Sequence, residues 1–361
     1  MFKLIPHVIP ILFKNRLTEL TLFITTTCNM KCRHCFVIDE LNKKRNFLTL
    51  DEIKEMGKHI SYMQRVHISG GEPFSRKDLG EVVTTISNDW NAGVICIPNN
   101  GWFTDNVVST IENFGKNGKG HLRIHFSINS PRAEDMDLFT QLEGSFERWR
   151  HTVKEAAKVK KKFKNITLIA LSTYNEFNEN IFTQLSDFIV NNTEVDEFSF
   201  HLARGHKSYH PQVNYENYSR VVNDYFKNRY KGHPLLKAYR ELVRSEGLKL
   251  MTNDEYKPTC KAGSLRVVVG PEGDVYPCEK KGFPNGEDMQ NWLIGNLRDH
   301  DYNIKKIISL PRNIEQNKCI QGGVCQCNHE IDTSLSLLSK NSFKVKVLKK
   351  SASYYLKSKF S

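Results

Sequence analysis

The stretch that decides the fold is Cys28-Asn-Met-Lys-Cys32-Arg-His-Cys35, which follows the first predicted strand, Leu20–Thr26. Three thiols this close on one loop cannot all pair with one another as disulfides, because each disulfide uses two of them. They can instead bind three corners of one 4Fe–4S cluster, whose usual ligand set is four cysteines. The fourth iron would then stay open, as catalytic metals do. A zinc site completed by His34 or by a distant cysteine is the alternative.

The strand before this loop is the first of six apolar, β-branched runs that alternate with helical segments. Such a series predicts parallel strands joined by right-handed crossovers, which curl into a barrel. Six units leave the barrel short of the usual eight, so the expected fold class is α/β, a partial (β/α)6 TIM-like barrel followed by a small α+β domain. The predicted strands are Leu20–Thr26, Val66–Ser69, Gly93–Pro98, His121–Ile128, Ile166–Ser172 and Asp196–His201.

The pattern changes after the sixth strand. Two helices are predicted, Tyr215–Tyr230 and Leu235–Gly247, and a hairpin follows that joins Leu265–Val269 to Val275–Tyr276 through a glycine-containing turn. The predicted domains are an N-terminal apolar segment over 1–17, the barrel over 18–250, an auxiliary domain over 251–332 and a basic tail over 333–361.

Charge and composition exclude some classes of function. The chain has 361 residues and a formal net charge of +12, but seven lysines follow Asp332 without an acidic residue, so residues 1–332 carry only +5. This modest charge argues against nucleic acid as a partner. No apolar run is long enough to span a membrane, and the apolar N-terminus lacks a small-residue cleavage site. We therefore expect a reducing, cytoplasmic location, where clustered cysteines bind metal or act in catalysis.

The motifs resemble those of a known family, the radical S-adenosylmethionine (SAM) enzymes. Cys28, Cys32 and Cys35 match the family's C-x3-C-x2-C signature, found after the first barrel strand. The stretch Ser69-Gly70-Gly71-Glu72-Pro73 resembles the family's Gly-Gly-Glu-Pro motif, whose backbone and carboxylate hold the methionine amino end of SAM. A Gly-Gly pair alone is explained by a tight turn. Both motifs, however, fall at the C-terminal ends of strands, where barrel active sites lie.

The resemblance implies further SAM contacts. His34 takes the place of an aromatic residue that abuts adenine, and Asn99-Asn100-Gly101 resembles the turn after strand three. Ser127 and Asn129 occupy the positions that contact the ribose and the carboxylate of SAM. Arg204, after strand six, is a candidate partner for the SAM carboxylate, because arginine can bind a carboxylate bidentately. A simple turn at the asparagine pair and a surface salt bridge at Arg204 are the alternatives.

A second cysteine set follows the barrel. It resembles the SPASM and Twitch auxiliary-cluster domains, although one early cysteine of the full pattern is missing and no cysteine follows Cys327. The resemblance therefore implies one auxiliary 4Fe–4S cluster, with Cys319 as the rival to the other four ligands and His329 as an outside candidate. A zinc ribbon is the alternative. The five cysteines are Cys260, Cys278, Cys319, Cys325 and Cys327.

The ninth cysteine, Cys96, lies inside the third predicted strand between Ile95 and Ile97. A buried apolar thiol without a catalytic role is the expected interpretation.

The resemblance also implies a reaction. An electron donor of the flavodoxin or ferredoxin type would reduce the first cluster, SAM would be cleaved, and the 5′-deoxyadenosyl radical would abstract hydrogen from a substrate. We expect an oxidoreductase that matures a ribosomally made peptide, with oxidation or rearrangement of a sugar, alcohol or lipid precursor as the alternative. Only 27 residues precede Cys28, so we expect any leader-peptide-binding protein to be a separate chain. A non-catalytic iron–sulfur or zinc protein that binds nucleic acid is the third interpretation.

The basic tail carries its own prediction. Apolar residues and lysines alternate over Phe343-Lys-Val345-Lys-Val347, which favours an amphipathic strand or an extension packed on the barrel. A docked terminus with solvated lysines is one interpretation. Attraction to an anionic surface, including peripheral contact with a membrane leaflet, is the other.

Overall fold

A single mixed sheet organises the molecule. The structure, a computed structural model, describes residues 17–360 apart from 206–208, 231, 254–259, 285–287 and 318–329. Its strands are β1 Glu19–Phe23, β2 Met63–Ser69, β3 Ala92–Asn99, β4 His121–Ser127, β5 Ile166–Tyr174, β6 Glu197–Leu202, β7 Arg266–Val269, β8 Asp274–Tyr276 and β9 Gly295–Asn296. Within the sheet they follow the order β6-β5-β4-β3-β2-β1-β7-β8-β9.

The first six strands are parallel and each pairs with its neighbour in sequence, so all six predicted strands are confirmed with small shifts at their ends. One face of this sheet is apolar, and the connecting helices cover it to form the main core. The predicted fold class, a partial (β/α)6 barrel with a smaller C-terminal part, is confirmed. The helices that connect these strands are α1 Leu50–Gly57, α2 Leu79–Asp89, α3 Thr104–Asn117, α4 Ala133–Thr140, α5 Ser145–Lys160 and α6 Phe182–Asn192.

The helices after β6 differ in part from the prediction. The first predicted helix after strand six splits into α7 Tyr215–Asp224 and a π-helical turn over Tyr225–Arg229. The second is longer than predicted. The remaining helices are α8 Pro234–Thr252, the short α9 Met289–Trp292 and α10 Ile304–Ile308, then α11 Glu330–Leu338 and α12 Asn341–Phe360.

The predicted C-terminal hairpin forms, but it belongs to the barrel sheet. Strand β7 lies parallel to β1, with Leu20 opposite Val267, and β8 returns antiparallel to β7. Sheet hydrogen bonding therefore runs without interruption from the barrel into the part of the chain expected to be a separate domain over 251–332. The hairpin covers the edge of β1 that would otherwise be free to pair with another chain.

The tail differs from its predicted strand. Residues 341–360 form helix α12, in which Phe343 and Val347 lie one turn apart and pack on α8 near Ala238. The alternating pattern was too short to decide between strand and helix, and packing on α8 overrides it. Among the described residues, no helix is both long enough and apolar enough to cross a membrane.

The pairing of β7 with β1 predicts how a C-terminal truncation affects solubility and melting temperature. A chain that ends after Asn253 lacks β7, including the buried Val267, and leaves the β1 edge without a pairing strand. We expect this truncation to aggregate, or to melt at least about 10 °C below the full chain, in a thermal unfolding assay. A chain that ends at Lys340 keeps β7 and is expected to stay soluble. Equal solubility and melting of the 253-residue chain would show that the hairpin is an independent unit.

Candidate active site

The concave face of the barrel is polar, which the sequence analysis did not predict. Parallel strands buried on both faces normally read as continuous apolar runs. Here every second residue of several strands is polar, as in Arg65-x-His67, Arg123-x-His125 and Glu197-x-Ser199-x-His201. These side chains point away from the apolar core, toward the barrel interior. The alternation of polar and apolar residues along these strands is the sequence signal that could have predicted the polar interior.

The cysteine loop leaves the C-terminal end of β1 and is fixed by backbone contacts. The side chain of Asn42 makes two hydrogen bonds with the backbone of Cys28. The Cys28 amide donates to Asn42 Oδ1 at 3.0 Å, and Asn42 Nδ2 donates to the Cys28 carbonyl at 3.0 Å. The Cys35 amide donates to the Cys32 carbonyl at 3.0 Å, which closes a tight turn. These hydrogen bonds fix the shape of the loop.

The loop places the three half-buried cysteines near one another. Burial raises the pKa of Cys28 to about 12 and that of Cys35 to about 11. Burial also raises the pKa of Cys32 well above its ordinary value, and the neighbouring Cys35 and Cys28 raise it further. All three thiols are thus protonated at neutral pH unless a bound cation stabilises their thiolates.

These donors fit an iron–sulfur cluster better than a single metal ion. No three Cys, His, Asp or Glu side chains in the described ranges form a group that could hold one metal ion. A cluster instead takes one thiolate at each of several irons. The amide of Met30 donates to Cys28 Sγ at 3.4 Å, and hydrogen bonds to the sulfurs are among the factors that set a cluster's potential.

Gly70 and Gly71 lie against the chain that leads to Cys28. A Cβ at Gly70 would lie 2.6 Å from the Thr25 carbonyl oxygen, and one at Gly71 would lie 2.4 Å from that of Thr27. The close approach lets the Gly71 amide donate to the Thr25 carbonyl at 3.0 Å and the Glu72 amide donate to the Thr27 carbonyl at 2.7 Å. Close packing, rather than a tight turn alone, explains the glycine pair.

Glu72 connects three strand ends next to the thiols. Its side chain is 2% exposed, and its carboxylate accepts the Phe74 amide at 2.9 Å and the Asn100 amide at 2.7 Å. Burial raises the Glu72 pKa to about 8. The Asn100 side chain donates to Asn29 Oδ1 at 2.9 Å and also hydrogen bonds with Cys28. Glu72, Asn100 and Cys28 therefore lie together in one hydrogen-bonded group.

The other predicted SAM contacts have structural partners. Asn129 Oδ1 accepts the Thr173 amide at 3.0 Å, which ties the end of β4 to β5, while Ser127 is the last residue of β4. The His34 ring stacks on Phe139 with the centroids 4.8 Å apart. Asn99 Oδ1 accepts the Gly101 amide at 2.6 Å and so forms the expected turn.

Arg204 pairs with a residue that the sequence analysis missed. Its Nη1 lies 2.6 Å from the Glu279 carboxylate, and its guanidinium lies over the ring of Phe36, next to Cys35. Glu279 also accepts from Arg266 Nη2 at 2.7 Å. Glu279 follows Cys278 directly, so this buried ion-pair chain connects the first cysteine loop to the C-terminal cysteine set.

The described part of the second set contains Cys260 and Cys278. Cys278 is buried, and the Ala262 amide donates to Cys260 Sγ at 3.4 Å. The six described cysteines are all free thiols. Cys319, Cys325, Cys327 and His329 lie outside the described residues.

Cys96 is buried as predicted, but its surroundings are not apolar. It lies on the polar face of β3, opposite His67 of β2 and Arg123 of β4. Burial raises the pKa of its thiol. The flanking Ile95 and Ile97 point into the core on the other face, so their side chains do not surround the thiol.

Comparison with known sequences identifies the barrel. Residues 22–182, a little under half of the chain, match the radical SAM superfamily. The chain carries a radical SAM domain. A GTP 3′,8-cyclase of Haemophilus ducreyi is 35% identical over 94 residues, which is 25% of this chain and 28% of the cyclase. An AdoMet-dependent heme synthase of Methanosarcina barkeri is 22% identical over 71% of this chain and 74% of the synthase.

Solved structures extend the likeness of fold beyond the radical SAM domain. SuiB of Streptococcus suis superposes with a TM-score of 0.56 at 18% identity, over 91% of this chain and 76% of SuiB. The protein anSMEcpe with bound AdoMet gives a TM-score of 0.56 at 16% identity, over 93% of this chain and 96% of that protein. The resemblance to radical SAM enzymes is confirmed.

The contact at Gly71 gives a prediction for the radical SAM domain. Gly71→Ala places a methyl group against two backbone carbonyls, so we expect loss of measurable SAM binding in equilibrium dialysis of the reconstituted protein. Gly247→Ala is the matched control, because a Cβ there, in helix α8, has no heavy atom within 4 Å. The control is expected to bind SAM normally and to be stabilised by about 0.5–1 kcal/mol. Normal SAM binding by Gly71→Ala would contradict the role given to this contact.

Proposed function

We propose that the protein reductively cleaves SAM and uses the 5′-deoxyadenosyl radical to abstract hydrogen from a substrate. The observation that carries this proposal is that three half-buried cysteines lie beside Glu72 and Asn100 at the ends of the first three strands. When bound, the cluster and SAM supply the electron transfer and the radical, which no side chain of the chain can supply.

The chain's own residues would bind the cluster and orient SAM. Cys28, Cys32 and Cys35 would hold three irons of the cluster, and the fourth would remain available to SAM. The Glu72 carboxylate, kept in place by two backbone amides, can accept from the SAM ammonium group, and the backbone around Gly70, Gly71 and Pro73 forms the adjoining wall. His34, Ser127 and Asn129 border the same end of the barrel and are proposed SAM contacts.

Arg204 is better explained as a positioning residue than as a SAM ligand. Its guanidinium already faces the Glu279 carboxylate and stacks on Phe36. It therefore links the cysteine loop to Glu279, which directly follows Cys278. In this role Arg204 fixes the position of Cys278 relative to the first cysteine loop.

The substrate site is proposed for the polar barrel interior, next to His125. This residue precedes Ser127 by two positions along β4, about 6–7 Å farther from the SAM end of the strand. Burial lowers the pKa of His125 well below its ordinary value, so the neutral ring offers one donor and one acceptor. Within the described part of the chain the ring makes no hydrogen bond, whereas His67 contacts Glu19 and His201 contacts Thr173.

We propose one auxiliary 4Fe–4S cluster held by Cys260 and Cys278 together with Cys325 and Cys327, with Cys319 as the rival ligand. The fold likeness over more than nine-tenths of the chain supports a SPASM or Twitch-type C-terminal domain. The described thiols fit a reducing compartment such as the cytoplasm, because none of them forms a disulfide.

Peptide maturation is the favoured reaction class. SuiB was solved with its precursor peptide SuiA, and anSMEcpe with peptides. The electron donor would be a flavodoxin or ferredoxin, and a separate chain would bind any leader peptide. Small-molecule chemistry is the second candidate, favoured by the named activities of the sequence relatives, GTP cyclisation and heme synthesis. The intact Gly70–Pro73 motif argues against a non-catalytic nucleic-acid-binding protein.

Iron analysis and SAM cleavage test the proposal together. After anaerobic reconstitution we expect about eight irons per chain, and about four after Cys28, Cys32 and Cys35 are replaced by alanine. With dithionite, Cys32→Ala is expected to lose 5′-deoxyadenosine formation, whereas Cys278→Ala keeps it because its cluster is the auxiliary one. Cys96→Ala is the matched control, with full iron content and normal cleavage.

Two outcomes would contradict this assignment. Stoichiometric zinc without acid-labile sulfide would replace the clusters with zinc sites. Unchanged 5′-deoxyadenosine formation by Cys32→Ala would show that the first loop does not hold the catalytic cluster.

The substrate site has a separate test. His125→Gln keeps a hydrogen-bonding side chain of similar size, so we expect normal folding and normal dithionite-driven SAM cleavage without substrate. In the producing organism, a deletion strain complemented with this variant is expected to lose the modified product by at least about tenfold, measured by mass spectrometry against the wild-type strain. Undiminished product would remove His125 from the substrate site.

A further inference from the structure

Helix α12 carries apolar residues on two opposite sides. On the inner side, Phe343 and Val347 are buried against α8 and α11, and Tyr354 packs beside them. Lys350 completes this contact through an ion pair of 2.9 Å with Glu241 of α8. These contacts fix the orientation of the helix on the body of the protein.

The outer side is apolar and faces solvent. Val345 is 49% exposed, Leu348 61%, Tyr355 53% and Leu356 56%. Together with the exposed Ala352 they are spaced three, four, three and one residues apart, which places them along one face of the helix. We call these five residues the outer stripe. Four of the seven large apolar side chains exposed in the described ranges belong to it, and large apolar patches on a surface mark interaction sites.

Lysines border the outer stripe. Lys344 and Lys349 lie at its two edges, and Lys346 is exposed beyond them. No acidic residue occurs after Asp332, so helix α12 contains no carboxylate side chain of its own to neutralise these lysines. An anionic partner with an apolar layer beneath its charged surface fits this arrangement.

We propose that the outer stripe binds peripherally to an anionic lipid bilayer, with helix α12 lying in the plane of the interface. A second copy of the chain fits less well, because pairing two stripes would bring lysines against lysines. This proposal does not depend on the radical SAM chemistry, and it revises the sequence interpretation, in which a basic strand faced the membrane.

Vesicle cosedimentation of the full-length protein tests the proposal. The probes are vesicles of equal parts phosphatidylglycerol and phosphatidylcholine, and vesicles of phosphatidylcholine alone. We expect binding to the anionic vesicles that weakens at high salt, and far less binding to the neutral ones. Replacing Lys344 and Lys349 by glutamate should weaken binding on the order of a hundredfold, and Leu348→Ser with Leu356→Ser by about tenfold or more.

A matched control distinguishes an effect of the outer stripe from an effect of net charge. Lys305→Glu with Lys306→Glu makes the same charge change at two exposed lysines of helix α10 and is expected to bind vesicles like the wild type. All replaced side chains are at least partly exposed, so circular dichroism should show unchanged folding. Equal weakening by the control, or equal binding to neutral vesicles, would overturn the proposal. A stable dimer that Leu348→Ser dissociates, without vesicle binding, would show that a second copy covers the stripe and would also overturn it.

Discussion

The close packing of Gly70 and Gly71 against the backbone of residues 25–27 is the contact on which the site depends. It joins the ends of β1 and β2 where the sheet ladder stops, through amides that donate to the Thr25 and Thr27 carbonyls. A side chain at either glycine would separate the two segments. Because the same few residues lead into Cys28 and out to Glu72, this contact sets the distance between the cysteine loop and the buried carboxylate.

A second constraint connects the barrel to the C-terminal part. Arg266 is fully buried, and its guanidinium contacts both Thr21 of β1 and Glu279. Burying charges is costly unless they are paired and hydrogen bonded, so this arrangement persists because each charge has a partner close by. The pairing of β7 with β1 and the ion pair of Glu279 with Arg204 hold the same part of the chain, from β7 to Glu279. They place Cys278 on the side of the sheet that faces the first cysteine loop.

The sequence predicted local features well and long-range pairing poorly. The six strands and the motif residues follow from apolar runs and from glycines at fixed spacing, which are local signals. The pairing of β7 with β1 joins residues 247 positions apart in the chain, and no local pattern specifies it. The tail was predicted as a strand because an alternation of only five residues fits both the period of a strand and that of a helix. Only the contacts of the tail with Ala238 and Glu241 select the helix. The polar barrel interior was readable from alternating positions such as Arg65 and His67, but the apolar neighbours of Cys96 in sequence obscured it.

The central claim is that Cys28, Cys32 and Cys35 leave one iron of a cluster open to SAM. Electron paramagnetic resonance of the reduced, reconstituted Cys278→Ala variant tests this most directly, because that variant should retain only the first cluster. Adding SAM is expected to change the g values of the cluster signal, since a new ligand enters the open position. A cluster signal that is identical with and without saturating SAM would contradict the account.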